Sequence, residues 1–105
     1  MGIIRSVILD EYDRNLRMQQ AYLRELEQLP KGSISPKMIN GRVYYYWMYR
    51  EDGKVFNKYI SAKDNDIKSL KELVQKRRHL EKLIKNLKRE MADMERYLKV
   101  SKNGE

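Results

Sequence analysis

A short stretch of the chain combines aromatic and basic side chains in a way that suits nucleic-acid binding. Seven of the ten aromatic residues lie between Tyr44 and Tyr59, and Arg42 and Arg50 lie beside or among them. Aromatic rings stack on bases or pack on sugars, while cations neutralise phosphate groups. These residue types predict a surface that binds DNA or RNA without catalysing a reaction.

Two other interpretations of this stretch remain open. Tyrosine favours strands, and cross-strand pairs such as Tyr46 with Tyr59 stabilise a sheet without binding anything. Tyrosine and arginine also contribute strongly at protein–protein interfaces. The stretch is therefore a nucleic-acid-binding surface, a protein interface or only a stable sheet, and we favour the first interpretation.

The composition limits the classes of protein that fit. The length predicts a single domain, residues 1–105, and Lys+Arg outnumber Asp+Glu by 23 to 15, so the net charge of +8 favours a polyanionic partner. There is no cysteine, which excludes disulfides and thiolate metal sites. The longest apolar run, Val43–Tyr49, is much shorter than the roughly 20 residues that span a membrane. We therefore expect a cytoplasmic protein with no membrane partner.

No pattern typical of an enzyme is present in the sequence. There is no glycine-rich phosphate loop and no metal-ligand spacing, and the one histidine, His79, cannot form an imidazole cluster. Asp64 and Asp66 are better explained as charges at the N-terminus of a helix, where the helix dipole favours them. We predict no enzymatic activity, no cofactor and no metal site.

Two long segments have the periodicity of amphipathic helices. Apolar residues recur at spacings of three and four over residues 6–29 and again over residues 64–99, and residues 100–105 are expected to fray. Ser6 is the expected N-cap of the first helix. The second helix is expected to begin either with a capping box at Ser61-Ala62-Lys63-Asp64 or with Asp64 itself as the N-cap. The first seam consists of Leu9, Tyr12, Leu16, Gln19, Leu23 and Leu26, and the second of Leu70, Leu73, Arg77, Leu80, Ile84, Leu87, Met91, Met94 and Leu98.

The two seams fit an antiparallel coiled-coil hairpin. When facing residues have numbers that add to 96, the two polar interruptions, Gln19 and Arg77, fall in one layer. A shared polar layer fixes register in coiled coils, so we prefer this register to one shifted by seven residues. The pairing fits within one chain and also between two chains. The second seam extends beyond the first, so Met91, Met94 and Leu98 either cover Ile3 and Ile4 or form the contact with a second copy in a homodimer or with a protein partner.

Between the helices, residues 33–61 are predicted to form a three-stranded antiparallel β-meander. Asn40-Gly41 and Asp52-Gly53 are typical of two-residue hairpin turns and divide the segment into three strands. Such turns determine which residues pair, with numbers that add to 81 for the first hairpin and 105 for the second. The prediction is an α+β protein with the meander inserted between two long helices.

This register assigns the side chains of the strands to two faces. The face expected to pack on the helices carries Ile34, Pro36, Met38, Val43, Tyr45, Trp47, Tyr49, Phe56, Lys58 and Ile60. The opposite face carries Lys37, Arg42, Tyr44, Tyr46, Met48, Arg50, Val55, Asn57 and Tyr59. Its basic and tyrosine side chains are the ones expected to bind nucleic acid. Lys76 and Arg78 join the predicted site because they lie in the most basic part of the second helix, for which an ordinary solvated helix face is the alternative explanation.

The central part of the chain resembles a family of small prokaryotic and mobile-element proteins that have no established activity. The resemblance rests on Leu29-Pro30-Lys31-Gly32-Ser33, the strand Tyr44-Tyr45-Tyr46, Gly53-Lys54 and Lys58-Tyr59-Ile60, followed by a heptad helix. Many members of that family carry a cysteine-rich insert, which this chain lacks. The resemblance implies an origin in a phage or mobile element.

A second resemblance involves residues 42–60 and the helix that follows them. They are similar to the three-stranded arm-type DNA-binding domains of tyrosine integrases, which lay their sheet in a major groove. This resemblance implies DNA contacts by Lys37, Arg42, Tyr44, Tyr46 and Arg50. The rival function is a coiled-coil protein-binding adaptor or inhibitor, in which the positive charge only serves solubility.

Overall fold

The protein is an α+β structure in which a three-stranded antiparallel sheet lies between two helices in the chain. The computed structural model describes residues 2–60 and 64–104. Its elements are α1 (Ile3–Glu27), β1 (Ser33–Ile39), β2 (Arg42–Glu51), β3 (Lys54–Tyr59) and α2 (Asp64–Gly104). The chain divides into two compact units, which we call the helical unit (Met1–Gln28 with His79–Glu105) and the sheet unit (Leu29–Arg78). Helix α2 therefore contributes its first part to the sheet unit and the rest to the helical unit.

The ends of the helices differ from the predicted ends by a few residues. Helix α1 begins at Ile3 with Gly2 in the N-cap position, so Ser6 lies inside the helix. The Arg5 guanidinium donates a hydrogen bond to the carbonyl of Leu98 (3.0 Å), which holds this first turn against α2. Helix α2 continues to Gly104, beyond its predicted end at residue 99. The predicted capping residues 61–63 lie outside the described residues.

The two turns determine the pairing of the strands. Asn40 and Asp52 have φ angles of 52° and 50°, and Gly41 and Gly53 follow at 78° and 76°. Positive φ at both central positions is the requirement of a type I′ turn, whose twist matches that of the strands. Paired residues have numbers that add to 81 between β1 and β2 and to 105 between β2 and β3. Both predicted strand registers are therefore confirmed.

The segment that leads into the sheet is held from two sides within the sheet unit. Gly32 lies so close to Trp47 that an added Cβ would be 2.6 Å from the indole ring. Its φ of 146° is also one that residues with a side chain rarely adopt. Arg77 donates a hydrogen bond to the carbonyl of Leu29 (3.2 Å), which ties the start of the segment to α2. The Leu-Pro-Lys-Gly-Ser motif thus positions β1.

In the helical unit, α1 contacts α2 through buried amide side chains. The Asn15 amide donates a hydrogen bond to the carbonyl of Leu87 (2.9 Å). The Gln19 amide donates to Asn15 Oδ1 (2.7 Å) and to the Met91 sulfur (3.5 Å). Among the described residues, no buried side-chain nitrogen or oxygen lacks a hydrogen-bond partner. The buried polar atoms of Asn15 and Gln19 are therefore all hydrogen-bonded.

A second polar contact lies closer to the start of α1. The Tyr12 hydroxyl donates a hydrogen bond to the Glu95 carboxylate (2.9 Å). This bond, together with partial desolvation and the negative charges of Glu95 and Asp13, raises the pKa of the Tyr12 phenol above its ordinary value. Because early residues of α1 contact late residues of α2, the two helices run antiparallel.

The predicted register between the helices is wrong. The contacts join residues whose numbers add to between 102 and 110, not 96. Gln19 contacts Met91, while its predicted partner Arg77 belongs to the sheet unit and bonds to Leu29. The observed register satisfies a pair of amides, because Asn15 is buried as well as Gln19. The predicted seam of α1 included Gln19 but not Asn15.

The buried side of α1 agrees with the predicted seam at Tyr12, Gln19 and Leu26 but not at its other three positions. Asn15 and Gln19 are 4% and 7% exposed, whereas Leu9, Leu16 and Leu23 are 41–42% exposed. A shift of one residue turns a helix by about 100°, so burying Asn15 in place of Leu16 turns the leucines toward solvent. The observed register also brings α1 beside the residues that were predicted to extend past it. These are the half-buried Met91, Met94 and Leu98.

Candidate nucleic-acid interface

Three tyrosine rings form a cluster on the face of the sheet that was predicted to bind nucleic acid. The ring centroids of Tyr44 and Tyr59 are 6.2 Å apart, and those of Tyr46 and Tyr59 are 5.8 Å apart in an edge-on arrangement. Strand geometry explains the cluster, because residues two apart on β2 share a face and the register places Tyr59 opposite Tyr46. We call these three residues the tyrosine cluster.

Three basic residues lie on the same face as the tyrosine cluster. The Lys37 ammonium lies 4.7 Å from the centroid of the Tyr46 ring, within cation–π distance. Arg42 and Arg50 occupy the same alternating positions of β2 as Tyr44 and Tyr46, and both are exposed. We call the tyrosine cluster together with Lys37, Arg42 and Arg50 the basic tyrosine face.

The basic tyrosine face is open to solvent and carries an excess of positive charge. Tyr59 is 53% exposed, while Tyr44 and Tyr46 are half-buried. The only acidic residues between positions 33 and 60 are Glu51 and Asp52, at the β2–β3 turn. The face therefore offers aromatic rings for stacking and three cations for phosphate groups, which is an arrangement for binding.

The opposite face of the sheet is less covered than predicted. Met38, Val43 and Phe56 were expected to pack on the helices, but they are 74%, 46% and 40% exposed. An α-helix is about 10 Å wide, whereas a strand of 10 residues such as β2 is about 33 Å long. The first part of α2 therefore covers only one area of this face.

Helix α2 forms a second basic and aromatic feature on that opposite face. The Lys71 ammonium lies 5.2 Å from the centroid of the Tyr45 ring. It borders a cleft of about 300 Å³ within the sheet unit. The residues lining the cleft are Ile34, Pro36, Tyr45, Lys71, Val74, Gln75 and Arg78.

The structure separates the two predicted site residues of α2 from each other. Arg78 lines the cleft beside Tyr45, and adjacent strand residues point to opposite faces, so Arg78 lies across the sheet from Tyr46. Lys76 is exposed and lies about 200° around the helix from Val74, which lines the cleft. The other six predicted residues share the basic tyrosine face.

The cleft was not predicted from the sequence, although the spacing of three of its residues contains a signal for it. Lys71, Gln75 and Arg78 are spaced by four and three, and such residues lie on one side of a helix. Tyr45 alternates with Tyr44 and Tyr46, and it was assigned only to the packing face. No sequence pattern indicated which part of that face α2 would cover.

Comparison with known proteins assigns the chain to a family. Residues 8–69 match the family described as "Domain of unknown function (DUF6788)". The chain belongs to this family. Among curated proteins and among solved structures, nothing matches the chain.

The DUF6788 match includes most of α1, the whole sheet and the beginning of α2. All six residues of the basic tyrosine face therefore lie within the family domain, whereas Arg78 lies outside the matched range. The family description carries no activity that could be transferred to these residues. The resemblances to mobile-element proteins and to integrase arm domains stay predictions.

The described part of the DUF6788 chain contains neither a cluster of metal ligands nor a membrane-spanning helix. Within residues 2–60 and 67–100, no group of three or more His, Cys, Asp or Glu side chains is placed to hold a metal ion. Over the same part of the chain, neither helix combines the length and the apolar character needed to cross a membrane.

Proposed function

We propose that this protein binds nucleic acid, without catalysis, through the basic tyrosine face. The observation that carries the proposal is the tyrosine cluster itself. Its ring centroids lie 5.8 and 6.2 Å apart on an open face, and a lysine ammonium lies 4.7 Å from one ring. Two exposed arginines extend the same face.

The chemistry of the face suits two kinds of nucleic acid. Stacking of a base on an aromatic side chain contributes about 1–3 kcal/mol, so a single strand would bind through the tyrosine cluster. A duplex would instead accept the sheet in its major groove, which is wide enough for a β-ribbon. In both cases, Lys37, Arg42 and Arg50 would neutralise phosphate groups.

The proposal is tested by fluorescence anisotropy with a random-sequence DNA duplex, a DNA single strand and an RNA hairpin, each at several salt concentrations. Three phosphate contacts predict a slope of log K against log salt of about −3 on the duplex and about −2 on a single strand. A preference for the single strand would indicate stacking, and a preference for the duplex would indicate groove binding. No binding to any probe at physiological salt would contradict the proposal.

A matched pair of double variants assigns the binding to one face of the sheet. Tyr46→Ala with Arg50→Ala removes a ring and a cation from the basic tyrosine face. Tyr49→Ala with Lys58→Ala removes the same two kinds of group from the opposite face and changes the net charge equally. We expect the first variant to weaken binding at least about tenfold, since one stacking contact alone contributes 1–3 kcal/mol. Equal losses in both variants would show that only the net charge matters.

The proposal extends to how the helical unit is built and where the protein acts. We infer that α1 and residues 79–104 pack as an antiparallel coiled-coil hairpin, which the hydrogen bonds from Arg5, Asn15 and Gln19 to α2 support. An origin in a phage or mobile element and a cytoplasmic location complete the proposal as predictions from the sequence.

The alternative function is a protein-binding adaptor or inhibitor that uses the helices. The observation that favours it is the exposure of Leu9, Leu16 and Leu23 on α1. This alternative predicts that neither double variant of the sheet affects the activity and that no polynucleotide binds at physiological salt.

A further inference from the structure

Helix α1 presents three leucines to solvent while it buries two amides. Leu9, Leu16 and Leu23 are 41–42% exposed, whereas Asn15 and Gln19 are the buried polar residues of the same helix. Water is the favourable environment for an amide and the unfavourable one for leucine. A helix that packed only against α2 would be expected to bury its leucines and expose its amides, which is the reverse of what α1 does. We call these three leucines the leucine stripe.

The geometry of α1 makes the leucine stripe a second seam. Residues seven apart return to nearly the same side of a helix, with a drift of about 20° per heptad, so the stripe runs straight along α1. It lies about 80° around the helix from the side that carries Asn15, Gln19 and Leu26. A third helix could therefore pack on the stripe without displacing α2.

We propose that a second copy of this chain covers the leucine stripe, with its α1 antiparallel to the first. A two-fold axis at Leu16 would place Leu16 against its equivalent and Leu9 against Leu23 of the other copy. Such a self-complementary patch is the usual form of a homodimer interface. The two helical pairs would then form a four-helix arrangement, a common solution for amphipathic helices.

The charges beside the leucine stripe favour the antiparallel orientation. On the outer side of the stripe, the first half of α1 carries Asp10 and Asp13, and the second half carries Arg17, Arg24 and, nearest to the leucines, Glu27, all exposed. Antiparallel helices with the two-fold axis at Leu16 place Asp10 and Asp13 of each copy near Arg24 and Arg17 of the other, and they place Glu27 level with Arg5 of the other. Parallel helices would place like charges together, which destabilises a helix pair.

This interface differs from the one predicted from the sequence at Met91, Met94 and Leu98. Those three residues are half-buried, whereas the leucines of the stripe are more exposed. The stripe on α1 contains only three partly exposed leucines, so we expect a dimer that dissociates on dilution, unlike an extensive obligate interface.

Sedimentation of the full chain over a range of concentrations tests the dimer. We expect a monomer–dimer equilibrium that Leu16→Glu weakens at least about tenfold, because two carboxylates would meet at the two-fold axis. The matched control is Val7→Glu, since Val7 is 51% exposed on α1 and lies about 180° from Leu16. A wild-type chain that is monomeric at every concentration, or an equal effect of both variants, would overturn the proposal.

Cysteine cross-linking tests the orientation and does not depend on how Leu16→Glu folds. The chain contains no cysteine, so Leu9→Cys and Leu23→Cys each introduce a single thiol. Positions 9 and 23 are about 21 Å apart along a helix, which is far beyond disulfide distance. The antiparallel dimer predicts a disulfide when the two variants are mixed and none in either variant alone. A disulfide within the Leu9→Cys variant would show a parallel dimer and would overturn the proposal.

Discussion

The sheet and the paired helices of this protein are held together by different kinds of contact. In the sheet, backbone hydrogen bonds pair β1 with β2 and β2 with β3, and a type I′ turn closes each hairpin. In the helical unit, α1 and α2 contact each other through side chains, including the buried Asn15 and Gln19. The difference determines how each part responds to substitution.

A two-residue turn permits only one register between the two strands of a hairpin. A heptad pattern of apolar residues permits several registers between two helices. A shift by one residue would turn every strand side chain to the other face, so the turn and the alternation support each other. A shift of a helix by seven residues, or a rotation by about 100°, still leaves apolar side chains along the contact. In the helical unit, satisfied amides select one arrangement from this set.

Among substitutions in the two units, we expect Leu80→Ala to lower the free energy of unfolding most, because the helical unit has few buried apolar residues. Leu80 is 4% exposed, and truncating a buried leucine typically lowers the free energy of unfolding by about 2–5 kcal/mol. Leu73→Ala is the control, since Leu73 belongs to the same predicted seam but is 37% exposed. Chemical denaturation followed by circular dichroism measures both. Equal losses would show that exposure does not separate the two positions.

The next largest loss of stability is expected from Gly32→Ala, which tests the close packing in the sheet unit. An alanine Cβ would be 2.6 Å from the Trp47 ring and 2.7 Å from the carbonyl oxygen of Met48. Gly53→Ala is the control, because Gly53 also has positive φ but no atom within 4 Å of its added Cβ. We expect Gly32→Ala to destabilise the protein by about 1–3 kcal/mol more than the control. Fluorescence of Trp47, the only tryptophan, measures the difference, and equal stabilities would contradict the tight contact.

A smaller loss of stability is expected from substitutions of Asn15 and Gln19, the amides that select the helix register. Asn15→Ala leaves the buried Gln19 amide with the Met91 sulfur, a weak acceptor, so we expect a loss of about 1–3 kcal/mol. Replacing Asn15 and Gln19 together by leucine removes both polar groups, so we expect a smaller loss than from Asn15→Ala. Denaturation curves of the two variants decide this. A larger loss in the double variant would show that the amides stabilise the unit beyond satisfying each other.

The same contrast explains what could be predicted from the sequence. Asn40-Gly41 and Asp52-Gly53 encode their turns locally, so the strand register and the residues of the basic tyrosine face follow from them. Asn15 carries no local sign of burial, because its partners are the Leu87 carbonyl and Gln19, one of which lies 72 residues away. The cleft beside Tyr45 likewise depends on where α2 meets the sheet, which no turn or period specifies.

The smallest effect is expected at Tyr12, where the helical unit responds to pH. The hydrogen bond to Glu95 raises the pKa of the Tyr12 phenol in the folded protein, above the value near 10 that is typical of an unfolded chain. The folded state therefore holds this proton more tightly than the unfolded state does. The stabilisation is fully present below about pH 10 and is lost as the pH rises through the folded pKa.

Tyr12→Phe isolates this contribution from the other tyrosines and lysines that titrate in the same range. We expect the variant to be slightly less stable than the wild type at neutral pH, and the difference to shrink above about pH 10. Tyr97→Phe, at a 40% exposed position of α2, controls for the loss of a hydroxyl group. A difference that grows at alkaline pH would mean that ionised Tyr12 is better accommodated than the phenol. The contact with Glu95 would then not be what stabilises this end of the helix pair.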